Sequence, residues 1–245
     1  MINLKLLPFI LFNASAFAGD APAKSEEIGQ ISYNNFSLSY LQGNADASIY
    51  TVAGVYSIYG SGTLESNGIQ LGFELPLGIP GEKPLDNFYL ALNGSWSSAN
   101  LSGELNVDGL YSLNADVSFD YFTLNLGSGY YIPITNSIHF VTEVGVDYNR
   151  ADLTIYSTDL SSDDIGFYAM PHIRAKNGRV EFHTGFKLTT NLLAQSPQSY
   201  FARVIYEVNP KFDLFASGYL GLKDSEDTVD YDAQYGFQAG IRLKF

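Results

Sequence analysis

The chain has 245 residues, no cysteine, and 26 acidic against 13 basic residues, which gives a formal net charge of -13. Charged residues make up only 16% of the chain, whereas aromatic residues reach 15%. The lack of cysteine excludes a disulfide framework and a cysteine-based zinc site. The acidic balance disfavours nucleic acid as a partner, because phosphate binding needs a basic surface. The apolar runs are also too short for a membrane-spanning helix.

The first 18 residues have the pattern of a secretory signal peptide. Lys5 provides the positive charge, residues 6–12 form a short apolar run, and Ala16-Phe17-Ala18 is a small-x-small cleavage site. Residues 19–30 are polar and lack any period, which predicts a flexible periplasmic leader. The sequence therefore predicts an exported protein with its folded domain over residues 31–245.

Period-two alternation of apolar and polar residues dominates the chain from Ile31 onward. Clusters of Gly, Pro, Asn, Asp and Ser interrupt it, and no stretch shows a convincing helical period. The pattern predicts an all-β protein. The ten predicted strands lie at about 31–42, 67–77, 87–96, 117–132, 138–152, 165–176, 179–190, 199–208, 212–222 and 232–245.

The connections between these segments alternate in length. The longer polar ones are 43–66, 97–116, 153–164, 191–198 and 223–231, and the shorter ones are 78–86, 133–137, 177–178 and 209–211. This layout is typical of a closed, up-and-down antiparallel transmembrane β-barrel. The first long connection could extend its flanking strands or form an extra hairpin, so twelve strands, and likewise eight, remain alternatives to ten.

A soluble β-sandwich would also place one apolar face on each strand. The polar positions here are dominated by Gly, Ser, Asn and Gln, which suits a narrow lumen. Several segments have the length that a tilted transmembrane strand requires. Aromatic residues near the strand ends fit interfacial girdles. These residues are Trp96, Tyr130, Tyr131, Tyr148, Tyr168, Tyr200 and Tyr206.

Two motifs resemble those of Gram-negative outer-membrane barrels. Residues 124–130 (LNLGSGY) are similar to a repeated pattern of the OmpA-like outer-membrane β-barrel family, and residues 235–245 resemble its terminal strand signal. The signal residues are Tyr235, Phe237, Ile241, Leu243 and Phe245.

The resemblance covers residues 31–245. It implies an outer-membrane location, recognition of the last strand by the barrel-assembly machinery, and contact with outer-membrane lipid and lipopolysaccharide. The chain departs from OmpA in its predicted strand number and in stopping at Phe245. We therefore do not expect the peptidoglycan-binding role of a periplasmic domain.

Charged residues of both signs occupy polar positions on most strands. The pair Asn177-Gly178 predicts a two-residue hairpin, with Arg174 opposite Glu181 and His172 opposite His183. The predicted lumen network comprises Glu74, Glu143, Asp147, His172, Arg174, Glu181, His183, Lys187, Arg203, Glu207, Asp213, Arg242 and Lys244.

Two carboxylates of this network would face each other. Glu207 lies opposite Asp213 if residues 209–211 form a three-residue turn, and both would then need Arg242 or Lys244 on the last strand. The favoured interpretation is that paired charges plug the lumen, because isolated charges there are costly. The alternative is that the same charges line a small porin-like channel for ions or small polar solutes.

The facing histidines raise the question of a metal or catalytic site. A zinc site needs three or four ligands. Glu143 could join His172 and His183 as a ligand only if all three residues lie at the same height in the barrel. We therefore predict no metal and no cofactor. By resemblance, omptin-like proteases use an Asp–His couple, but no Asp-x-His occurs here. Lipid A deacylases use a closely spaced His and Ser, and no histidine has Ser two residues on. No sequence pattern indicates the combined Ser, His and Asn of an outer-membrane phospholipase. We therefore do not expect enzyme activity.

Acidic residues cluster in two predicted loops. Solvated surface is the simplest interpretation, and divalent cations that bridge the loops to lipopolysaccharide phosphates are an alternative, because acidic oxygens suit calcium or magnesium. The sequence thus predicts a monomeric outer-membrane barrel with a structural or surface-interaction role. The clustered acids are Asp224, Glu226, Asp227, Asp230 and Asp232 in the last loop and Asp159, Asp163 and Asp164 in the third.

Overall fold

A computed structural model describes residues 31–53, 56–77, 87–107, 111–155, 158–191, 198–221 and 229–245. Each strand pairs antiparallel with its neighbours in chain order, and the first strand pairs with the last to close a ten-stranded barrel. This confirms the predicted barrel and its strand number, and the sandwich alternative was wrong. The strands are β1 (Asn35–Ala53), β2 (Tyr56–Pro76), β3 (Phe88–Val107), β4 (Tyr111–Thr135), β5 (Ile138–Ile155), β6 (Thr158–Asn177), β7 (Val180–Thr189), β8 (Gln198–Asn209), β9 (Phe212–Gly221) and β10 (Val229–Lys244).

Strands β1 to β6 are longer than the sequence predicted, β5 by only a few residues. They contain 18–25 residues each, and the β1–β2 ladder continues from Asn35 opposite Glu74 to Ala53 opposite Tyr56. The predicted polar loops at 43–66, 97–116 and 153–164 were therefore wrong, since most of their residues are in strands. The alternative that the first connection extends its flanking strands is confirmed. Ser, Asn and Gly residues in these segments resemble loop composition, but they alternate with apolar residues.

An apolar band surrounds the outer face of the barrel. On β5 it runs from Ile138 through Phe140 and Val144 to Tyr148, and Arg150 follows as an exposed residue. At about 3.4 Å per residue and a tilt of about 40°, this stretch rises about 26 Å, close to the apolar band of outer-membrane barrels. Above the band the exposed outer residues include Glu65, Asp120, Arg150 and Asp163. No helix in the described part of the chain is long and apolar enough to cross a membrane.

Two predicted girdle residues lie inside the barrel instead. Tyr168 is buried and donates to a lumen carboxylate, and half-buried Tyr131 stacks against Tyr33 at a centroid distance of 4.1 Å. The girdle prediction was wrong for both because they are in phase with the lumen positions of their strands. Trp96, Tyr130, Tyr200 and Tyr206 lie exposed on the outer face, and Tyr148 is half-buried.

The β6–β7 hairpin has a different register from the predicted one. Gly178 and Arg179 form the turn, so that Arg174 lies opposite His183 and His172 opposite Gly185. The prediction was wrong because Gly178, with a φ of 57°, occupies the first turn position rather than the second. Each partner moves by two residues, which keeps the predicted residues on the lumen face. The predicted pairing of Glu207 with Asp213 is confirmed.

Pro171 interrupts the β6–β7 ladder. Pairing runs through Ala169 opposite Leu188 and resumes at His172 opposite Gly185, which omits Met170 and Pro171. Proline has no N–H, so it cannot donate to the facing strand. We expect Pro171→Val to raise the free energy of unfolding by about 1 kcal/mol, because the new N–H can complete the ladder. Urea unfolding in lipid vesicles measures this change.

Pro133 is the matched control for this substitution. It lies exposed near the β4–β5 turn, where its ladder position opposite His139 borders an irregularity. Water can satisfy the facing carbonyl there, so Pro133→Val should leave stability unchanged. A stability of Pro171→Val equal to that of the parent protein would contradict the role given to the missing N–H.

Candidate functional site

Glu181 is the centre of a buried ion network near the short-turn end of the lumen. Its Oε1 accepts from Arg174 Nη2 at 2.5 Å and lies 2.6 Å from His183 Nε2, while its Oε2 accepts from Arg242 Nη2 at 2.9 Å. The side chains of Glu181, Arg174 and Arg242 are at most 1% exposed. One carboxylate from β7 thus joins β6 and β10 across the lumen.

The network continues from Arg242 to the mouth of the barrel. Arg242 Nε lies 2.6 Å from Asp213 Oδ2, and Lys244 Nζ lies 3.1 Å from Asp213 Oδ1 and 3.3 Å from Glu207 Oε2. Lys176 Nζ binds the same Glu207 oxygen at 2.6 Å. Seven charges therefore form one continuous chain across β6 to β10, in the order Arg174, Glu181, Arg242, Asp213, Lys244, Glu207 and Lys176.

The segment before β1 lies inside the lumen, against this network. Ile31, Ser32 and Tyr33 are all buried. The Tyr33 hydroxyl lies 2.6 Å from His139 Nδ1, and the Arg174 guanidinium carbon lies 4.5 Å from the centre of the Tyr33 ring. Arg174 Nη2 also donates to the Ser32 carbonyl at 3.0 Å. Residues 31–33 thus place a segment of backbone inside the lumen.

A second carboxylate, Glu143, is held by tyrosines. The hydroxyl of Tyr168 donates to Glu143 Oε1 at 2.6 Å, and that of Tyr89 donates to Oε2 at 3.3 Å. Gly127 and Gly129 of the LNLGSGY motif lie directly beneath these rings, since a Cβ at either glycine would overlap a tyrosine. The motif therefore makes room on β4 for two inward tyrosines.

Further polar clusters fill the lumen above this level. Lys187 Nζ lies 3.6 Å from Asp147 Oδ2, and Thr189 Oγ1 donates to the same oxygen at 2.8 Å. Arg203 Nη2 donates to Gln238 Oε1 at 3.0 Å, and its guanidinium carbon lies 4.7 Å from the centre of the Phe215 ring. The first cluster joins β7 to β5 and the second joins β8 to β10, so each links two strands that are not neighbours in the barrel.

All thirteen residues of the predicted network are in the described lumen, where Lys244 is half-buried and the others are buried. Six of them belong to the seven-charge chain, and His183 contacts it. Glu74, which accepts from Asn35 at 3.2 Å, stands apart with Glu143, Asp147, Lys187, Arg203 and His172. Sequence reasoning missed Lys176, although it alternates with Arg174, because the predicted register put it beside the turn.

The histidines do not assemble with Glu143. The rings of His172 and His183 have centroids 6.2 Å apart, and His172 Nδ1 lies 3.1 Å from the carbonyl of Met170. In the described ranges, no group of three or more His, Cys, Asp or Glu side chains could hold a metal ion. Glu143 is instead bound by tyrosine hydroxyls.

The residues of the predicted assembly signal lie on the outer face or partly buried, apart from the lumen network. On β10 and at its end, Tyr235, Phe237, Leu243 and Phe245 are exposed, and Ile241 is half-buried. Asp224, Glu226 and Asp227 lie outside the described residues. The predicted loop location was wrong for the other five acids, because Asp230 and Asp232 are in β10 and Asp159, Asp163 and Asp164 are in β6.

Buried side chains occur at several levels of the described lumen. Arg174 and Tyr89 at the short-turn end, Glu143 and Asn125 further up, and Ser97 towards the other end are each at most 1% exposed. Side chains of this kind can fill the interior of a narrow barrel. The arrangement can hold the strands in register, and it leaves the outer surface and the rims for contacts with partners.

No protein-family model matches the chain, and no curated protein sequence matches it. Solved structures with similar architecture include the outer-membrane protease OmpT from Escherichia coli, with 12% identity, a TM-score of 0.51, and coverage of 86% of this chain and 96% of that one. The translocator domain of the autotransporter NalP from Neisseria meningitidis has 11% identity, a TM-score of 0.52, and coverage of 89% and 91%. The chain therefore has the fold of an outer-membrane β-barrel.

Proposed function

We propose that the protein is an integral outer-membrane barrel with a closed lumen and a structural or surface-interaction role. The continuous apolar band on its outer face supports insertion into a bilayer, because such a surface is costly in water. The short turns at residues 136–137, 178–179 and 210–211 favour an orientation with the ion network towards the periplasm. The seven-charge chain is the observation that best supports the proposal of a closed lumen.

The lumen contents favour a plug over the porin-like alternative. A conducting lumen needs a hydrated path, and here Arg174, Glu181 and Arg242 are bound to one another and almost fully buried. Tyr33 and the backbone of Ser32 also contact Arg174 inside the lumen. Charges that are paired directly with one another hold strands together rather than carry ions.

The positions of the histidines support the proposal that the protein has no catalytic activity. All three histidines of the chain, His139, His172 and His183, lie buried in the half of the lumen next to the short turns. OmpT is a protease, but the Asp-x-His pattern that we would expect of an omptin-like Asp–His couple does not occur in this chain. We therefore propose that this chain is not a protease, although it shares the barrel fold with OmpT.

The outer surface suggests the partners. The exposed apolar residues of β10 fit recognition of the last strand by the barrel-assembly machinery. The exposed carboxylates of Glu65, Asp120 and Asp163 lie just above the apolar band. At this height, divalent cations could bridge them to lipopolysaccharide phosphates. We propose that the protein is a monomer surrounded by lipid and lipopolysaccharide.

Planar-bilayer recording tests the closed lumen. We expect the purified protein, refolded and inserted, to give no unitary current, because the described lumen is filled by paired charges and residues 31–34. A porin inserted under the same conditions serves as the positive control, and a shift in electrophoretic mobility on boiling confirms that the sample is folded. Discrete current steps from the folded protein would favour the channel alternative.

A further inference from the structure

The chain contains three Asn-Gly pairs, at residues 67–68, 93–94 and 177–178. Asparagine is a thermolabile residue, and it loses its side-chain amide fastest when glycine follows it. Glycine has no Cβ, so its backbone nitrogen can approach the preceding side chain without obstruction. Because the dipeptide is the same at all three positions, only the structural setting can make the three pairs react at different rates.

Two of the pairs are held inside strands. Asn67 is exposed on the outer face of β2, where its Oδ1 accepts from the Tyr40 hydroxyl at 2.5 Å, and Asn93 of β3 is buried in the lumen at 1% exposure. Both asparagines, and the Gly68 and Gly94 that follow them, pair with a strand on either side. In such a ladder the glycine N–H is bound to a facing carbonyl and the backbone is held extended. The attacking nitrogen is therefore restrained in both strands, whether the asparagine is exposed or buried.

The third pair lies where β6 ends and the chain turns. Asn177 pairs with Val180 of β7, the ladder with β5 ends at Ala175, and neither of these ladders includes Gly178. Both residues of the pair are exposed, and a Cβ at Gly178 would have no heavy atom within 4 Å apart from its chain neighbours. In a two-residue hairpin the N–H of the first turn residue points away from the facing strand. At this pair the nitrogen and the side chain are thus both open to water and have space to move.

We propose that Asn177 is a deamidation site of the folded barrel. The backbone nitrogen of Gly178 bonds to Cγ of Asn177, the side-chain amide leaves with the proton of that nitrogen as ammonia, and a cyclic succinimide forms. Water then opens the ring. Its attack at Cγ gives aspartate, and its attack at the backbone carbonyl carbon gives isoaspartate, in which the main chain runs through Cγ. The reaction needs water and no oxidant or other co-reactant.

The modified turn aligns two strands that hold the ion network together. Lys176 of β6 lies opposite Glu181 of β7, and Asn177 opposite Val180 is the pair that follows and closes the hairpin. Deamidation adds a negative charge at this closing pair, and isoaspartate also lengthens the main chain between the closing pair and the turn by a methylene group. The site is therefore separate from the lumen charges, and the inference does not depend on whether the lumen conducts.

Peptide mass spectrometry of the aged protein tests this site. The full chain, folded in lipid vesicles, is incubated at mildly alkaline pH and digested, and deamidation is quantified at positions 67, 93 and 177. Chromatography separates the aspartate and isoaspartate peptides. A parallel sample is kept unfolded in guanidinium chloride, where all three pairs lie in unstructured chain. We expect position 177 to deamidate several-fold faster than positions 67 and 93 in the folded barrel, and the three rates to become similar in the unfolded sample.

Asn177→Gln is the matched variant. It keeps an exposed amide at the turn, but the longer side chain closes the corresponding ring much more slowly, so the isoaspartate peptide should disappear while positions 67 and 93 keep their rates. Equal rates at the three positions of the folded barrel would overturn the proposal. A preference for position 177 that persists unchanged in guanidinium chloride would also overturn it, because the sequence rather than the turn would then set the rate. The mobility shift on boiling, scored before and after incubation, ensures that the folded sample has stayed folded.

Discussion

Replacing Glu181 by Ala is expected to lower the free energy of unfolding by about 3–5 kcal/mol, the usual cost of removing one partner of a buried ion pair. Arg174 and Arg242 are almost fully buried and share the Glu181 carboxylate. Without it, two guanidinium groups face each other in a space that excludes water. Urea unfolding of the protein folded in lipid vesicles, followed by tryptophan fluorescence, measures the loss.

A surface ion pair provides the control. Arg150 Nη2 lies 3.0 Å from an oxygen of Asp152, and the two side chains are 51% and 46% exposed. Asp152→Ala should therefore cost only about 0–1 kcal/mol, the range for exposed pairs. Glu181→Gln keeps the shape and one acceptor oxygen, so its cost should lie between the two. Equal stability of Glu181→Ala and Asp152→Ala would contradict the role given to the buried network.

The network lies where the wall has the least backbone pairing. Its seven charges come from β6 to β10, which include the three shortest strands, whereas β1 to β5 are held by ladders of 17 to 20 residue pairs. The β6–β7 ladder also loses two positions at Pro171. Direct links between the charged side chains thus supplement the hydrogen bonds that the short strands lack.

The fold could be predicted because strand alternation is a local property. On β4, Phe122, Leu124 and Leu126 alternate with lumen residues, and the same period recurs on every strand of the membrane band. Only a closed barrel hides all the strand edges that such a surface would otherwise expose to lipid. The inward phase of charges such as Arg174 and Glu181 follows from the same alternation.

The remaining features depend on contacts between distant parts of the chain. The burial of Tyr33 against Tyr131 and His139 joins residues about a hundred positions apart, and no local pattern indicates it. The register of the β6–β7 hairpin depends on whether Gly178 occupies the first or the second turn position. The upper parts of β1 to β4 resemble loops in sequence because they are rich in polar residues and Gly. Apolar residues such as Leu105 and Leu113 nevertheless preserve the alternation that is typical of strands.

Replacing Gly127 by Ala is the second substitution with a large expected effect. A Cβ at this position would overlap the Tyr168 hydroxyl and lie 2.8 Å from the Val144 carbonyl oxygen. The tyrosine must withdraw, and Glu143 then loses its 2.6 Å hydrogen bond. Overpacking costs about 1–3 kcal/mol, and an unsatisfied buried acceptor costs about 1–3 kcal/mol more. We expect a total loss of about 2–6 kcal/mol in the same urea unfolding experiment.

Gly94 and Tyr168 provide the controls for this mechanism. A Cβ at Gly94, on the outer face of β3, would have its nearest neighbour at 3.8 Å, so Gly94→Ala should be close to neutral. Tyr168→Phe removes the hydroxyl that both donates to Glu143 and meets the new Cβ. If the two effects share this hydroxyl, the double variant Gly127→Ala, Tyr168→Phe should be destabilised by clearly less than the sum of the single variants. Strict additivity would show that Gly127 and Tyr168 stabilise the barrel independently, and the motif would then need another explanation.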